Sequence, residues 1–507
     1  MKKQILSVLL CCATAATLLT GCGGGDAPSQ ATNNNDTESV VVAYDRKTPL
    51  DPFTYSTDLT RNIVDYLIEF NREQTESEGI TLVLADSYNH SDDKKTWTFH
   101  LRDAQFSNGN PLDANDVVAS LEYALTTPMG AGNYEGYHAE AQDDKTVVFT
   151  TDRYSDNVPY YLARLPIIDA ESFESMGEEE YFNAMIGTGA YVLDSYDEAT
   201  GLAELSASET YWGEQPAIKH VTMRYIPDPN TALIALRGGE VDFASISSAN
   251  YSQAAGDSSL KIQFSEPTLG NYIVFNAQAD PVSDQKLRQA ILYAIDTEGI
   301  AAMSAVEGDY EVLHGFYQPE WGMEKPDNFT EYSYDPDKAK ELIAETGLQT
   351  PIDLGTISIM DSQKSIWEVI QQNLAEVGIN IQLSSVESTV WLDNIWKGDF
   401  LIAALTDTDI VGSGYTGICD MFYSWGIESG YNYSRYSDPA LDDLLVAAAQ
   451  ATEKDEQNEY FGQALNVINN QALWGIIYTY GRIYAMSADL NAETYVPDIY
   501  FNEMSWN

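Results

Sequence analysis

Residues 187–244 constrain the fold more than any other stretch of the chain. They read GTGAYVLDSYDEATGLAELSASETYWGEQPAIKHVTMRYIPDPNTALIALRGGEVDFA. Val221, Met223 and Tyr225 alternate with polar neighbours, the period-two pattern of a half-buried strand. Asp228 stands where an N-cap accepts a hydrogen bond from the first helical turn. Pro229 follows at the one helix position that needs no N–H partner. Leu233, Leu236 and Arg237 carry the helix on until Gly238-Gly239 ends it. Residues 240–245 return to extended chain. Strand, strand, helix, strand specifies an α/β scaffold, and this one holds no obvious catalytic group.

At 507 residues the chain is too long for a single core, so two or three domains are expected. The formal charge is −52, from 78 acidic and 26 basic residues. That balance argues against a nucleic-acid partner, which needs clustered Lys and Arg, and against attraction to an anionic bilayer. It favours a soluble monomer. The 33 Tyr and 9 Trp supply side chains suited to recognition surfaces, although each one serves packing equally well.

The N-terminus reads as a leader. Met1-Lys2-Lys3 is a basic start, and residues 5–20 form an apolar, small-residue stretch too short to span a bilayer as a mature helix. Leu19-Thr20-Gly21-Cys22 resembles the bacterial lipobox, in which the Cys is lipidated and becomes the first mature residue. Of the four cysteines, Cys11 and Cys12 would leave with the leader. Cys22 and Cys419 would remain, and no disulfide framework follows. Residues 23–39 carry no large apolar side chain and are expected to be a disordered tether with a reach of roughly 20–25 Å.

Within the body, GTGAYVL, YWGEQP and IPDPNTALIALRGGEVDFA, in that order and spacing, resemble the core block of the family 5 extracellular solute-binding proteins. These are the oligopeptide-, dipeptide- and nickel-binding proteins of bacterial ABC importers. Leu50-Asp51-Pro52 matches the family's early turn. Residues 84–125 match a longer run: a polar turn at Ser91-Asp92-Asp93-Lys94-Lys95, a strand alternating through Trp97, Phe99 and Leu101, and a helix over 113–125. Residues 269–276 (LGNYIVFN), 287–296 (LRQAILYAID) and 433–439 (YSRYSDP) extend the resemblance, which covers most of the chain from about Val40 to Leu490. Where the family often shows a YEPL-like motif this chain has Asp65-Tyr66-Leu67-Ile68. That segment lies within residues 62–70, which Ile63, Leu67 and Phe70 mark as a helix.

The resemblance implies a two-lobe α/β fold of the periplasmic-binding-protein kind, of the large cluster C type with an extra subdomain in lobe I. Its expected divisions are 1–21 signal peptide and 22–39 tether, then 40–60, 180–268 and 485–507 as the lobe I core. Residues 61–179 form the extra subdomain and 269–484 lobe II, with crossings near Asn271 and Tyr480. A cleft with more than one connection closes by hinge motion around a ligand.

The richest polar loop is 406–419, TDTDIVGSGYTGIC, directly after a buried strand. Peptide-binding members carry a Trp-x-x-Asp pattern here, whose Asp pairs with the peptide's amino group. In this chain Asp409 matches the Asp and Thr406 replaces the Trp, with Asp407 between them. A buried ammonium requires such a carboxylate, whereas two turn aspartates are commonly solvated. The spacing fails as a calcium loop, because Val411 and Ile418 fall where ligands are required. His90, His100, His138, His220 and His314 show no metal-type spacing, and no metal or cofactor is expected. Ser91-x-x-Lys94 formally matches a nucleophile motif but sits in a hairpin turn. Tyr44, Tyr272, Trp391 and Tyr415 are candidate cleft aromatics.

The expected protein is therefore not an enzyme. It is an extracytoplasmic solute-binding protein, lipid-anchored through Cys22, that captures an oligopeptide or dipeptide and delivers it to an ABC permease. An oligosaccharide or nickel chelate is the alternative ligand. A secreted hydrolase would need two carboxyls facing each other across a cleft, about 5–9 Å apart, and a signalling receptor could use the same fold.

Overall fold

The computed structural model describes residues 37–47, 50–54, 57–70, 80–127, 130, 133–152, 158–265, 267, 269–317, 325–409, 418–419, 421–429, 432–451, 453–493 and 499–507. The leader and most of the tether, including Cys22, lie outside this set.

The 187–244 block forms half of a seven-stranded sheet. The strand order is Leu260–Phe264, Ile483–Ser487, Phe243–Ile246, Ser39–Tyr44, His220–Tyr225, Leu202–Ala207 and Tyr191–Asp197. Ser39–Tyr44 is central and parallel to both its neighbours. Its Val40 and Val42 face the same buried layer as Val221 and Met223, their register partners. Parallel strands need a crossover, and the helix Pro229–Arg237 supplies it. Asp228 caps that helix, its Oδ1 accepting from the Thr231 N–H at 2.8 Å.

The GTG opening of the block has a steric reason. Gly189 donates its N–H to the Ile63 carbonyl at 2.9 Å, and Tyr191 donates to the Asn62 carbonyl at 3.0 Å. A Cβ on Gly187 would collide with the Ile63 carbonyl oxygen, and one on Gly189 would stand 2.7 Å from it. The same contacts correct the expected helix over 62–70. The carbonyls of Asn62 and Ile63 are taken by residues 189–191, and the Asn62 carboxamide binds both Ile499 O (2.8 Å) and Phe501 N (2.8 Å). Helix is confined to Asp58–Arg61, and Ile68–Phe70 pairs instead with Ile80–Leu82. Tertiary hydrogen bonds have overridden a helical apolar pattern.

A second, antiparallel sheet holds Ala85–His90, Thr96–Leu101, Thr146–Thr151 and Tyr137–Asp143. Trp97, Phe99 and Phe149 pack with the helix Ala114–Ala124 in its core. Asp116 forms that helix's capping box, accepting from Asp113 N at 2.8 Å, and its other oxygen accepts from Ala170 N at 2.9 Å.

The other lobe is built on a four-stranded antiparallel sheet in the order Tyr310–Glu311, Trp474–Tyr480, Leu269–Phe275 and Ile402–Asp409. Beside it lies a parallel pair, Ile352–Ile359 with Ile379–Ser385. The two inter-lobe passages run side by side. Ser265 N donates to Arg482 O at 3.0 Å, and Arg482 N donates back to Ser265 Oγ at 2.8 Å. The second passage is short: Tyr480 ends a lobe II strand and Ile483 begins a lobe I strand.

A candidate ligand cleft between the lobes

The three parallel strands of the first lobe end on a common side, and their ends line a cavity of about 830 Å³. Tyr44, Asp45 and Arg46 follow the central strand, Ile226 and Pro227 follow His220–Tyr225, and Ser245 to Ser248 follow Phe243. Ligands gather beyond the carboxyl ends of strands in open α/β sheets. The second lobe closes the opposite side with Leu269, Asn271, Thr406 and Asp309. The passage residues Tyr480, Gly481 and Arg482 line the space between.

One end of the lobe II sheet forms a row of which Leu269 and Tyr480 line this cavity. Tyr310, Tyr480, Leu269 and Asp409 are successive register partners across the four strands. The Asp409 backbone thus lies beside Leu269, a lining residue. The side chains of Asp407 and Asp409 fall outside the described set. Thr406 lines the cavity, and its Oγ1 donates to Asn271 Oδ1 at 2.7 Å. Tyr44 also lines it; its hydroxyl donates to the Gly201 carbonyl, which leaves the ring to act as a wall.

Two expected aromatics are corrected. Tyr272 is fully buried in the lobe II core, its ring centroid 5.9 Å from that of Trp474. Asn271 lines the cavity while Tyr272 packs in the core, the strand carrying a register irregularity between them. Trp391 packs half-buried against the same core and does not line the cavity. Tyr415 lies outside the described residues.

The cavity's charge contrasts with that of the chain. Arg46, Arg61, Arg164 and Arg482 line it against Asp45, Asp58, Glu69 and Asp309, four of each sign in a protein of net charge −52. Several of these groups are held by the fold. The Arg61 guanidinium sits 4.4 Å over the Tyr66 ring, Glu69 accepts from the Tyr500 hydroxyl at 2.7 Å, and Asp58 accepts from Ile499 N at 3.0 Å. Asp309 differs. It is 6% exposed, and burial pushes its carboxyl up to about 7, offset only by a hydrogen bond from the Gly481 N–H. The four arginines and Asp309 escaped sequence reasoning because each is an isolated residue without a motif. The position of Gly481-Arg482 at the lobe crossing was the one available signal. No group of His, Cys, Asp or Glu that could hold a metal ion occurs among the described residues.

The model of the bacterial extracellular solute-binding proteins, family 5, matches residues 79–429. The chain belongs to this family. Its members are substrate-binding components of ABC importers and not enzymes, and they act outside the cytoplasm. No helix among the described residues is long and apolar enough to cross a membrane. The chain is 26% identical to the dipeptide-binding protein of Escherichia coli over 449 residues, covering 80% of this chain and 81% of that one. It is 24% identical to the oligopeptide-binding protein AppA of Bacillus subtilis, covering 100% and 99%. The fold is that of AppA solved with a nonapeptide, with a TM-score of 0.78 at 22% identity over 92% of this chain and 99% of that one. It is equally that of the substrate-binding protein CtaP of Listeria monocytogenes, with a TM-score of 0.78 at 24% identity over 93% and 99%.

Proposed function

We propose that this family 5 protein is tethered by a lipid on Cys22, captures a short peptide between its lobes and delivers it to an ABC permease. The observation that carries the reading is the inter-lobe cavity lined by equal numbers of arginines and carboxylates. A peptide is a zwitterion, so its two ends need opposite charges within one enclosure, and each buried charge needs a partner. A volume of about 830 Å³ suits a small ligand. The dipeptide- and oligopeptide-binding relatives support the same class. Asp409, at the cavity end of its strand, pairs with the peptide's amino group, with Asp407 and Thr406 shaping the same rim and Tyr44 walling the opposite side. The lipid and the tether keep the body near its permease as a monomer.

A thermal-shift screen tests the reading, using the protein from residue 23 stripped of ligand. Peptides of two to nine residues are compared with oligosaccharides and a nickel–histidine chelate. A peptide at 100 times its Kd adds about 2.7 kcal/mol of stability. Shifts with a sugar or the chelate and none with any peptide would overturn the peptide assignment. For the anchor, Cys22→Ala releases the protein from the membrane fraction; retention there would refute lipidation at Cys22.

A further inference from the structure

We propose that Asp309 is a specificity-determining residue that receives a protonated amine of the bound ligand. This rests on the peptide reading above and adds a second recognition point to it. Asp309 lines the inter-lobe cavity and is almost wholly enclosed. It forms no ion pair among the described residues. The Gly481 N–H is the donor to its carboxylate, and burial otherwise leaves that charge uncompensated, which raises its proton affinity. The backbone around it is firmly placed: Asp309 N donates to Val306 O at 3.0 Å, and Gly481 N lies 3.3 Å from Asp309 O.

Gly481 is needed for this placement. A Cβ there would collide with the Ser265 carbonyl oxygen and stand 2.9 Å from Asp309 Oδ1. The carboxylate therefore lies against the passage between the lobes, where closure brings both lobes onto the ligand. It precedes Tyr310, at one edge of the row that ends in Asp409 at the other. Three strand spacings separate those edges, about 14 Å. An extended ligand over this row meets a carboxylate-bearing position at each end. An enclosed carboxylate without a counter-cation costs stability until an ammonium arrives to pair with it, and here the cavity gives an ammonium a way in.

Calorimetry with wild type and Asp309→Asn decides the matter, using Ala-Ala-Ala, Ala-Lys-Ala, N-acetylated forms of both, and spermidine. The proposal expects Asp309→Asn to lose about tenfold to a hundredfold in affinity for an amine-bearing probe, as for a hydrogen bond to a charged group. Blocking the recognised amine abolishes that difference. Loss confined to lysine peptides assigns Asp309 to a side-chain amine, whereas loss confined to probes with a free N-terminus assigns it to the α-amine. If wild type binds no peptide but binds spermidine in an Asp309-dependent way, the peptide reading falls and the amine site stands. Equal affinities of the two proteins for every probe that binds overturn the proposal. So does an equal loss for N-acetyl-Ala-Ala-Ala, which carries no amine. Unchanged near-ultraviolet circular dichroism of Asp309→Asn confirms that the comparison is between folded proteins.

Discussion

The cost of enclosing Asp309 without a counter-charge is measurable in the ligand-free protein. Its carboxyl has an ordinary value of 3.8 and is raised to about 7 in the fold. A raised carboxylate stabilises the fold least when ionised. The contribution is most favourable below the unfolded value near 4, is lost as pH rises from there through about 7, and is level above. Three units correspond to a ceiling of about 4 kcal/mol at 1.36 kcal/mol per unit. The group opens on a cavity where solvent screens it, so about 1–3 kcal/mol is the realistic size. Asp309→Asn keeps the shape and an acceptor for the Gly481 N–H while removing the charge. At pH 8 the ligand-free variant melts about 3–8 °C above wild type, at roughly 2–4 °C per kcal/mol for a lobe of this size. At pH 4.5, just above the unfolded value of 3.8, the gap has narrowed to about a quarter of this. Calorimetric melts at both pH values supply the comparison. A variant that melts at or below wild type at pH 8 would show that the carboxylate already has a counter-charge, and the reasoning would collapse.

Three further perturbations test other parts of the construction. Gly187→Ala drives a methyl group into the Ile63 carbonyl and should cost about 1–3 kcal/mol, read as a lowered melting temperature; an unchanged melt would mean the GTG segment can move away. Asp116→Ala removes both the capping box and the link to Ala170, and should cost about 2–3 kcal/mol in urea unfolding at pH 5, where the wild-type carboxyl, raised by burial to about 7, is largely protonated. The Trp212 indole donates to Asp65 at 2.8 Å, with Thr188 at 3.1 Å, against a burial that lifts Asp65 to about 6. Trp212→Phe therefore raises the Asp65 value further, which carboxyl-carbon NMR titration detects, and no change would remove Trp212 from that balance.

What the sequence discloses here is what local chemistry determines. Asp228 and Pro229 start a helix wherever they stand together before an apolar stripe, and the structure places the helix there. Trp97, Phe99 and Leu101 alternate because one face of their strand is buried, and the pattern is visible without the partner strands. The segment 62–70 misleads for the opposite reason. Its apolar spacing suits a helix, but its carbonyls are claimed by residues 189–191, more than a hundred positions away. Asn271 and Tyr272 show the same limit at the cleft. Adjacent on one strand, they part between cavity and core, and only the packing of Trp474 decides which is core.

The cleft itself is the least legible part because it is assembled from chain ends that share no neighbourhood. Tyr310, which follows Asp309, and Tyr480, Leu269 and Asp409 come from four segments and become one row only when four strands adopt their register. Their residue types carry no information alone, since 78 acidic side chains are scattered along the chain. What distinguishes Asp309 from the equally enclosed Asp116 and Asp242 is that it lines the inter-lobe cavity, a property of the fold. At 406–409, where the resemblance to peptide-binding members implies Trp-x-x-Asp, this chain has Thr406 in place of the Trp, and its hydroxyl is spent on Asn271. A bulky ring has thus given way to a small polar pair on that wall, while a second carboxylate stands at the other edge of the sheet. On the proposal above, ligand choice draws on the Asp309 edge of the row as well as on the Asp409 edge. The paired comparison of Asp309→Asn with Asp409→Asn against lysine and alanine tripeptides separates the two contributions. If the affinity changes follow Asp409 alone for every peptide, the far edge has no part in recognition.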